Sequence, residues 1–398
     1  MGIMLEYINR RLSGPDLESE LKRLIAKYND IRSTYLLVYA AAIGKALPPF
    51  VLPEVALEQR DLYVIHDLLA NMRGANRLDF YLETPGGSGE TAEEIVRFLH
   101  DNFGHVSFVI SGEAKSAGTI LALSGNEILM TETGSLGPID AQVRIGRSVV
   151  SAYDYMEWVN QRRKQAEEEG RLNPFDAVMV AQISPGELES VSHAMAFAQE
   201  RVREWLAQYK FREWQVTETR RLPVTDEKRQ EQANEIAVAL TDRSKWRLHG
   251  RSIKIEDLEN IGLRITKIDD DRHLADVVYR IQAVCRLVFE STTAFKIFAT
   301  MDEKIFRHVT PAGGPPRIPQ GEIPAVVELQ SRCPRCGAVH KLYAKIQDDP
   351  RIDDDFRKKG VAPFPKNAKI TCQCGYEIDV SGAKTQIELQ TGRRILTE

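Results

Sequence analysis

The sequence lacks the features that mark secreted, lipid-anchored or membrane-spanning proteins. Residues 1–11 show no basic start followed by an apolar run, so we expect no secretory signal. Glu6 stands where N-myristoylation requires Ser or Thr. Apolar runs such as Tyr35–Ile43 are too short to cross a bilayer. We therefore expect a cytoplasmic protein with no membrane span.

An excess of charge of one sign is also missing. The 398 residues carry a formal net charge of -4, with 43% apolar and 28% charged residues. These values are ordinary for a soluble globular protein with room for two or three domains. The balance gives no reason to expect a specific nucleic-acid partner or a membrane partner.

Cysteine is scarce and unevenly placed. Of the five cysteines, Cys285 stands alone and is expected in the core. The others form two close pairs near the end of the chain: Cys333, Cys336, Cys372 and Cys374. Without a secretory signal, this pattern favours a metal over disulfides. Each pair is followed by glycine and is typical of a tight turn offering two thiolates, and two such turns complete a tetrahedral structural zinc site.

The segments around the cysteines predict a small zinc ribbon. Residues 326–330, 341–346, 368–371 and 377–380 have strand patterns. Basic side chains of this module are offset by acidic ones, so we favour protein docking or assembly over DNA binding. The second pair is C-x-C rather than the usual C-x-x-C.

Composition and periodicity divide the chain into four parts. Residues 1–60 are predicted as an N-terminal helical segment and 61–309 as the main domain. A Pro/Gly-rich linker is expected at 310–325, before the ribbon at 326–398. Within the main domain, residues 61–140 alternate strands and helices, which is typical of a parallel sheet, and 151–302 are mostly helical.

Two loops of the main domain can carry chemistry. Gly86-Gly87 follows a strand at 78–82, and such a turn can hold a phosphate or an oxyanion, or be a plain turn. Ser116 follows a strand at 106–110 and precedes a helix, so it is either a nucleophile or a helix N-cap.

The ordered motifs resemble those of the Clp-protease/crotonase superfamily, and within it those of the serine dehydrogenase proteinase family. The motifs are Leu78–Gly87, Ala114–Thr119 and Gly134–Asp140, the last containing Gly137-Pro138. The resemblance implies an α/β Clp-protease/crotonase-like core with a mainly helical extension. It further implies that Ser116 attacks the scissile carbonyl, that the N–H groups of Gly87 and Ala117 form the oxyanion hole, and that the protein is a homo-oligomer.

The group that activates Ser116 is less clear, because the histidine that Clp peptidases place after the serine is missing from residues 136–141. Relatives of signal-peptide peptidase A use a Ser-Lys dyad instead, and Lys164 lies at a suitable distance along the sequence. Its charged surroundings are equally typical of a solvated helix face. His193, Asp140 and Lys115 are further candidates as a base or orienting group, and Lys115 could instead attract a substrate carboxylate.

The resemblance predicts a serine endopeptidase that cleaves peptides or unfolded proteins. Two alternatives stay open: a non-catalytic assembly protein on a degenerate peptidase fold, and a crotonase-like enzyme acting on acyl-CoA.

Overall fold

The computed structural model describes residues 2–72, 76–145, 148–217, 221–246, 250–309, 324–391 and 393–396. The chain divides into two compact units, Met1–Val309 and Thr310–Glu398. The linker predicted at 310–325 lies outside the described residues as far as residue 323.

The first unit contains thirteen α-helices and eleven strands in its described residues. The helices are α1 (Ile3–Arg10), α2 (Gly14–Arg32), α3 (Leu52–Val55), α4 (Gln59–Leu69), α5 (Gly89–Asn102), α6 (Ala117–Leu123), α7 (Ala152–Glu169), α8 (Pro174–Val180), α9 (Pro185–Trp205), α10 (Asp226–Thr241), α11 (Arg243–Trp246), α12 (Ile255–Asn260) and α13 (Arg272–Ser291). The strands are β1 (Tyr35–Ala41), β2 (Arg77–Glu83), β3 (His105–Ile110), β4 (Glu113–Ala114), β5 (Glu127–Met130), β6 (Ser135–Leu136), β7 (Gln142–Ile145), β8 (Ser148–Ser151), β9 (Thr266–Lys267), β10 (Ala294–Ala299) and β11 (Lys304–His308).

A seven-stranded sheet with the order β11-β10-β1-β2-β3-β5-β9 forms the centre of this unit. Strands β1, β2, β3, β5 and β9 are parallel, and β10 and β11 are added in antiparallel pairs. Because all carboxyl ends of the parallel strands meet at one edge, the loops after β2 and β3 lie side by side.

Helices cover both faces of the sheet, which is why its inner strands are apolar on both sides. On β1, Leu37 and Tyr39 face a core that also includes buried residues of α4, α5, α6, α9 and α10. The alternate residues Leu36 and Val38 face a second core with residues of α2 and α13.

The first 60 residues are more than a helical segment. They contribute α1 and α2, but also β1, which lies inside the sheet next to β2 and β10. A fully buried strand shows no polar alternation, so its run of apolar residues gave the sequence analysis no strand period to detect. The strands β10 and β11 were also not predicted from the sequence. They directly follow a long stretch with a helical pattern, and β10 lies within the residues that were assigned to that stretch.

The second unit is a small β-rich fold. Strands β12 (Val326–Arg332), β13 (Val339–Lys345) and β14 (Ala362–Pro363) form one sheet, and β15 (Lys369–Thr371) and β16 (Glu377–Asp379) form a hairpin. Helices α14 (Pro350–Lys358) and α15 (Ser381–Thr391) complete the unit. Across the described ranges of both units, no helix combines the length and apolar character that a membrane span requires.

Candidate active site

Ser116 lies at a sharp turn between β4 and the first residue of α6. Its backbone has φ 50° and ψ -117°, a left-handed conformation that is costly for a residue with a Cβ, at about 1–3 kcal/mol in proteins. Its side chain makes no capping hydrogen bond to the helix. Ser116 therefore occupies the N-cap position of α6 without capping the helix through its side chain, and the strained strand-to-helix turn has the geometry of a nucleophile elbow.

The glycine loop after β2 packs directly against this elbow. A Cβ on Gly86 would lie 2.7 Å from the Ser116 Cβ and 2.8 Å from the Lys115 carbonyl oxygen. Gly86 and Gly87 have φ values of 103° and 150°. Leu57 fixes the loop from the other side, since its N–H donates to the Gly86 carbonyl (2.7 Å) and its carbonyl accepts from the Ser88 N–H (3.0 Å). Only glycines fit between these two neighbours.

Two backbone N–H groups beside Ser116 are available as donors. Among the described residues, neither the Gly87 nor the Ala117 N–H donates a hydrogen bond to another residue. Ala117 is the first residue of α6, where backbone N–H groups have no partner within the helix. Unpaired donors on both sides of a serine are the groups that could stabilise a negatively charged oxygen.

The Gly137-Pro138 turn is held against α6 by Thr119, a residue the sequence analysis did not single out. The Thr119 hydroxyl lies 2.8 Å from the Ala114 carbonyl, the nearer acceptor for its single O–H, and 3.1 Å from the Gly137 carbonyl, and it accepts from the Gly137 N–H (2.9 Å). A Cβ on Gly137 would lie 2.8 Å from the Lys115 Cδ. The three sequence motifs thus meet around one point.

Lys115 is buried and turned away from open solvent. Its Nζ lies within hydrogen-bond distance of Ser252 Oγ (2.9 Å), Ser135 Oγ (3.3 Å) and the carbonyls of Leu136 (3.1 Å) and Arg251 (3.2 Å). Burial lowers the pKa of Lys115, nearby Glu113 raises it and Lys254 lowers it. An ammonium group has three N–H donors, and four protein acceptors already surround the Lys115 ammonium. Lys115 therefore does not serve to attract a substrate carboxylate, contrary to the alternative considered from the sequence.

Lys164 lies on α7 and is 74% exposed, with its Nζ 3.7 Å from Glu168. It lines a groove of about 320 Å³ with Tyr153 and Met195. A second groove of about 300 Å³ shares those two residues and reaches Ile139 and Asp140. The structure therefore does not place Lys164 against Ser116, but it puts Lys164 on a continuous surface that leads to the Gly137–Asp140 turn.

The two remaining candidates have structural partners. His193 is 80% exposed on α9, 3.7 Å from Glu189. Asp140 is buried and accepts from the Ser151 hydroxyl (2.7 Å) and the Gln142 amide (2.9 Å), which ties the turn to the β7–β8 hairpin.

A buried ion pair supports the glycine loop from behind. Lys296 Nζ lies 2.6 Å from Asp61 and 2.8 Å from the Ala56 carbonyl, and both charged side chains are inaccessible to solvent. Ala56 precedes Leu57, the residue that pairs with Gly86. Lys296 lies far from the motifs in sequence, so no local signal could reveal this role.

The four cysteines of the second unit converge. Their sulfur atoms all lie within 4.8 Å of one another, with Cys333–Cys374 at 3.7 Å and Cys336–Cys372 at 3.5 Å. These distances are far longer than a disulfide bond of about 2.05 Å. They fit four thiolates around one tetrahedral ion with metal–sulfur bonds of about 2.3 Å. Gly337 and Gly375, at φ 76° and 80°, form the two tight turns. The cluster can hold a metal ion.

A parallel sheet covered on both faces, with a strained serine turn against a glycine loop, defines the Clp-protease/crotonase class of fold. Residues 68–169 match the model of the ClpP-like SDH-type serine proteinase family. The resemblance to serine dehydrogenase proteinases is thereby confirmed over the segment that contains the elbow.

Two relatives come from Methanocaldococcus jannaschii. Uncharacterized protein MJ1495 is 32% identical over 66 residues, 17% of this chain and 23% of its own length. Uncharacterized protein MJ0137 is 31% identical over 80 residues, 19% of this chain and 28% of its own length. The chain thus spans about a quarter of the length of each relative.

Among solved structures, the chain is similar to a mutant of the 1510-N membrane-bound stomatin-specific protease, with 12% identity, coverage of 55% of this chain and 76% of that one, and a TM-score of 0.30. A second mutant of that protease, in complex with a substrate peptide, gives 13% identity, coverage of 56% and 90%, and a TM-score of 0.24. An enoyl-CoA hydratase from Mycobacterium avium subsp. paratuberculosis K-10 gives 15% identity, coverage of 40% and 78%, and a TM-score of 0.20.

Proposed function

We propose that this protein is a serine endopeptidase that cleaves peptides or unfolded proteins through an acyl-enzyme on Ser116. The observation that carries the proposal is the backbone of Ser116, which is held in a strained turn with a side chain that caps nothing. Such strain persists only where the surrounding structure enforces it, and here the strained residue packs directly against the glycine loop.

The proposed reaction begins when the Ser116 hydroxyl passes its proton to a base and its Oγ attacks the peptide carbonyl carbon. The resulting oxyanion is stabilised by the N–H groups of Gly87 and Ala117. The tetrahedral intermediate then collapses: the C–N bond breaks, the amine leaves with the proton from the base, and Ser116 remains acylated. Water, deprotonated by the same base, releases the acid and restores the serine.

We propose Lys164 as that base, in a Ser-Lys dyad. Support comes from its place on the grooves that run past Tyr153 and Met195 to Asp140. A peptide lying in these grooves would cover the exposed ammonium, and loss of solvent is the condition under which a lysine acts as a base.

We further propose that the cysteine cluster holds structural Zn²⁺, because four thiolates at tetrahedral spacing suit this ion.

The protein is also proposed to be cytoplasmic and homo-oligomeric. The apolar side chains that α8 leaves exposed, Phe175 (74%) and Val178 (62%), support association with further copies.

The nucleophile is tested by labelling with a fluorophosphonate probe and by cleavage of an unfolded protein such as reduced casein. Ser116→Ala should lose labelling entirely and cleavage by at least about 10³-fold, because the residual rate comes only from the oxyanion hole and binding. Ser148→Ala, at an exposed serine, is the matched control and should behave as wild type.

The base is tested in the same assay. Lys164→Gln should lower kcat by about 10²–10⁴-fold, the usual contribution of a general base. Its neighbour Arg163, 72% exposed, provides the control Arg163→Gln, which should change kcat little. Wild-type kcat in Lys164→Gln would contradict the dyad, whereas absence of labelling in the wild type would favour a non-catalytic assembly protein.

A further inference from the structure

A cleft of about 950 Å³ opens on the sheet edge opposite the serine elbow. Its lining includes Asn126 and Thr266, which lie at the amino ends of β5 and β9. Ser116 instead follows the carboxyl end of β3, and the strands run parallel. The cleft is therefore separate from the candidate active site, and its volume is typical of small-molecule sites.

Lys210 contributes a positive charge to the lining of this cleft. It ends the π-helical turn Leu206–Lys210 after α9 and lines the cleft half-buried. In the described ranges of the chain, its ammonium has no hydrogen bond or ion pair. Glu127 lies nearby, but its carboxylate is engaged by Arg32 (2.8 Å) and the Thr266 hydroxyl (2.7 Å). A half-buried ammonium without a partner is unfavourable, and an anion in the cleft would relieve it.

A second cation and an aromatic wall stand beside it. Arg264 lines the same cleft. Burial lowers the pKa of Lys210 to about 8, with Glu127 raising this pKa and Arg264 lowering it further. Phe211 and Trp214 also line the cleft, with ring centroids 5.6 Å apart. Arg229 fixes this wall by donating to the Trp214 carbonyl at 3.1 and 3.3 Å.

The described lining of the cleft includes two acidic side chains, Glu259 and Glu213. Glu259 pairs with Lys267 at 3.0 Å, which offsets its charge. Glu213 is exposed, and Lys228 adds a further positive charge on the lining, where it pairs with Glu231 at 2.7 Å. The cleft thus presents the half-buried Lys210 ammonium next to an apolar, planar surface, with the exposed Arg264 on the same lining.

We propose that this cleft binds a small organic anion, whose carboxylate or phosphate contacts Lys210 and Arg264 while a planar ring lies against Trp214. Charge-assisted hydrogen bonds from an ammonium and a guanidinium suit either anion. The site takes part in no step of the reaction proposed for Ser116, so its existence does not depend on that proposal.

Pyridoxal 5′-phosphate is a suitable probe, since it joins a phosphate and a flat ring to an aldehyde. Its aldehyde condenses with a neutral lysine amine, water leaves, and borohydride reduces the imine to a stable secondary amine that mass spectrometry locates. At pH 7.5 we expect Lys210 of the full-length protein to label at least about 10-fold faster than exposed Lys245, because the phosphate of the probe can bind Arg264 on the same lining while the Lys210 amine condenses with the aldehyde.

Three variants and two competitors complete the experiment. Lys210→Gln should remove the rapid label, Arg264→Gln should slow it at least about threefold, and Lys245→Gln should leave it unchanged, with circular dichroism confirming that each variant folds. Inorganic phosphate and benzoate are then added before the probe. Protection of Lys210 by phosphate alone assigns the site to phosphate-bearing ligands, and protection by benzoate alone assigns it to aromatic carboxylates.

Protection by both competitors supports the shared anion chemistry. Labelling of Lys210 no faster than that of Lys245, or rapid labelling that neither competitor slows, would overturn the proposal. Because labelling is measured by mass spectrometry, the result stands whether or not Ser116 is a nucleophile.

Discussion

At the scale of single residues, the site depends on where a Cβ is tolerated and where it is not. Ser116 has a Cβ although its φ is positive. Gly86, which faces Ser116, has to lack a Cβ, because a Cβ built on Gly86 would lie only 2.7 Å from the Ser116 Cβ. The motif and its order could be predicted from sequence because glycine and serine turns are local. The support from Thr119 could not, since its partner Gly137 comes from a different loop.

Gly86→Ala should separate this clash from general backbone strain. We expect a drop in kcat/KM of at least about 100-fold, since a displacement of about 1 Å at the elbow is enough for such a loss. Gly44→Ala is the matched control, because Gly44 also has a positive φ (77°) but no atom within 4 Å of its Cβ position.

Both substitutions carry a backbone penalty of about 1 kcal/mol. Thermal denaturation should show a loss of this size for Gly44→Ala and a larger loss for Gly86→Ala, whose Cβ also clashes with Ser116 and Lys115. Peptidase activity of Gly86→Ala equal to that of Gly44→Ala would show that Gly86 does not position Ser116.

At the scale of elements, the glycine loop depends on β10, whose sequence carries none of the family motifs. Lys296 on β10 holds Asp61 at the start of α4 and the Ala56 carbonyl next to Leu57. The helices of this region follow from periodicity, as α4, α5 and α6 show. Two buried opposite charges cannot be predicted as a pair from sequence, because nothing local distinguishes them from surface charges.

Lys296→Met should destabilise the first unit by about 3–5 kcal/mol, because it removes the closer of two cations from the buried Asp61 carboxylate and leaves only Arg307, at 3.3 Å. The free energy of unfolding in urea measures this loss. Adding Asp61→Asn should recover part of it, since the amide removes the stranded charge and keeps hydrogen-bonding atoms for Tyr39 and Glu58.

Lys304→Met is the control, since Lys304 pairs with Glu18 near the surface and such pairs contribute about 0–1 kcal/mol. If Lys296→Met unfolds at the same urea concentration as this control, the buried pair has no structural role.

At the scale of the whole molecule, the chain joins two units with different sources of stability. Met1–Val309 has two extensive cores on the faces of its sheet. The second unit buries a small core that includes Cys333 and Cys372, close to the four sulfur atoms. Small domains can draw stability from a structural metal ion, which is the role proposed for this cluster. The cysteine spacing predicted the convergence of the four thiols, because metal ligands impose local turns.

Removal of metal with a strong chelator should therefore unfold the second unit and leave the first folded. Limited proteolysis with mass spectrometry should show cleavage within residues 324–396 and a protected fragment near Met1–Val309, which still reacts with the fluorophosphonate probe.

Cys336→Ser should reproduce the effect without chelator, whereas Cys285→Ser, outside the cluster, should leave bound zinc at one ion per chain. Retained resistance to proteolysis after full metal loss would contradict the structural role.

The pairing of β1 with β10 also has a consequence for synthesis of the protein. Val38 pairs with Ala299, about 260 positions later in the chain. A ribosome that adds about 5–20 residues per second needs roughly 10–50 s to supply that partner. Throughout this interval one edge of an entirely apolar strand has no neighbour, and such an edge readily pairs with other chains. The β1 edge is therefore protected from such pairing only once translation has delivered β10.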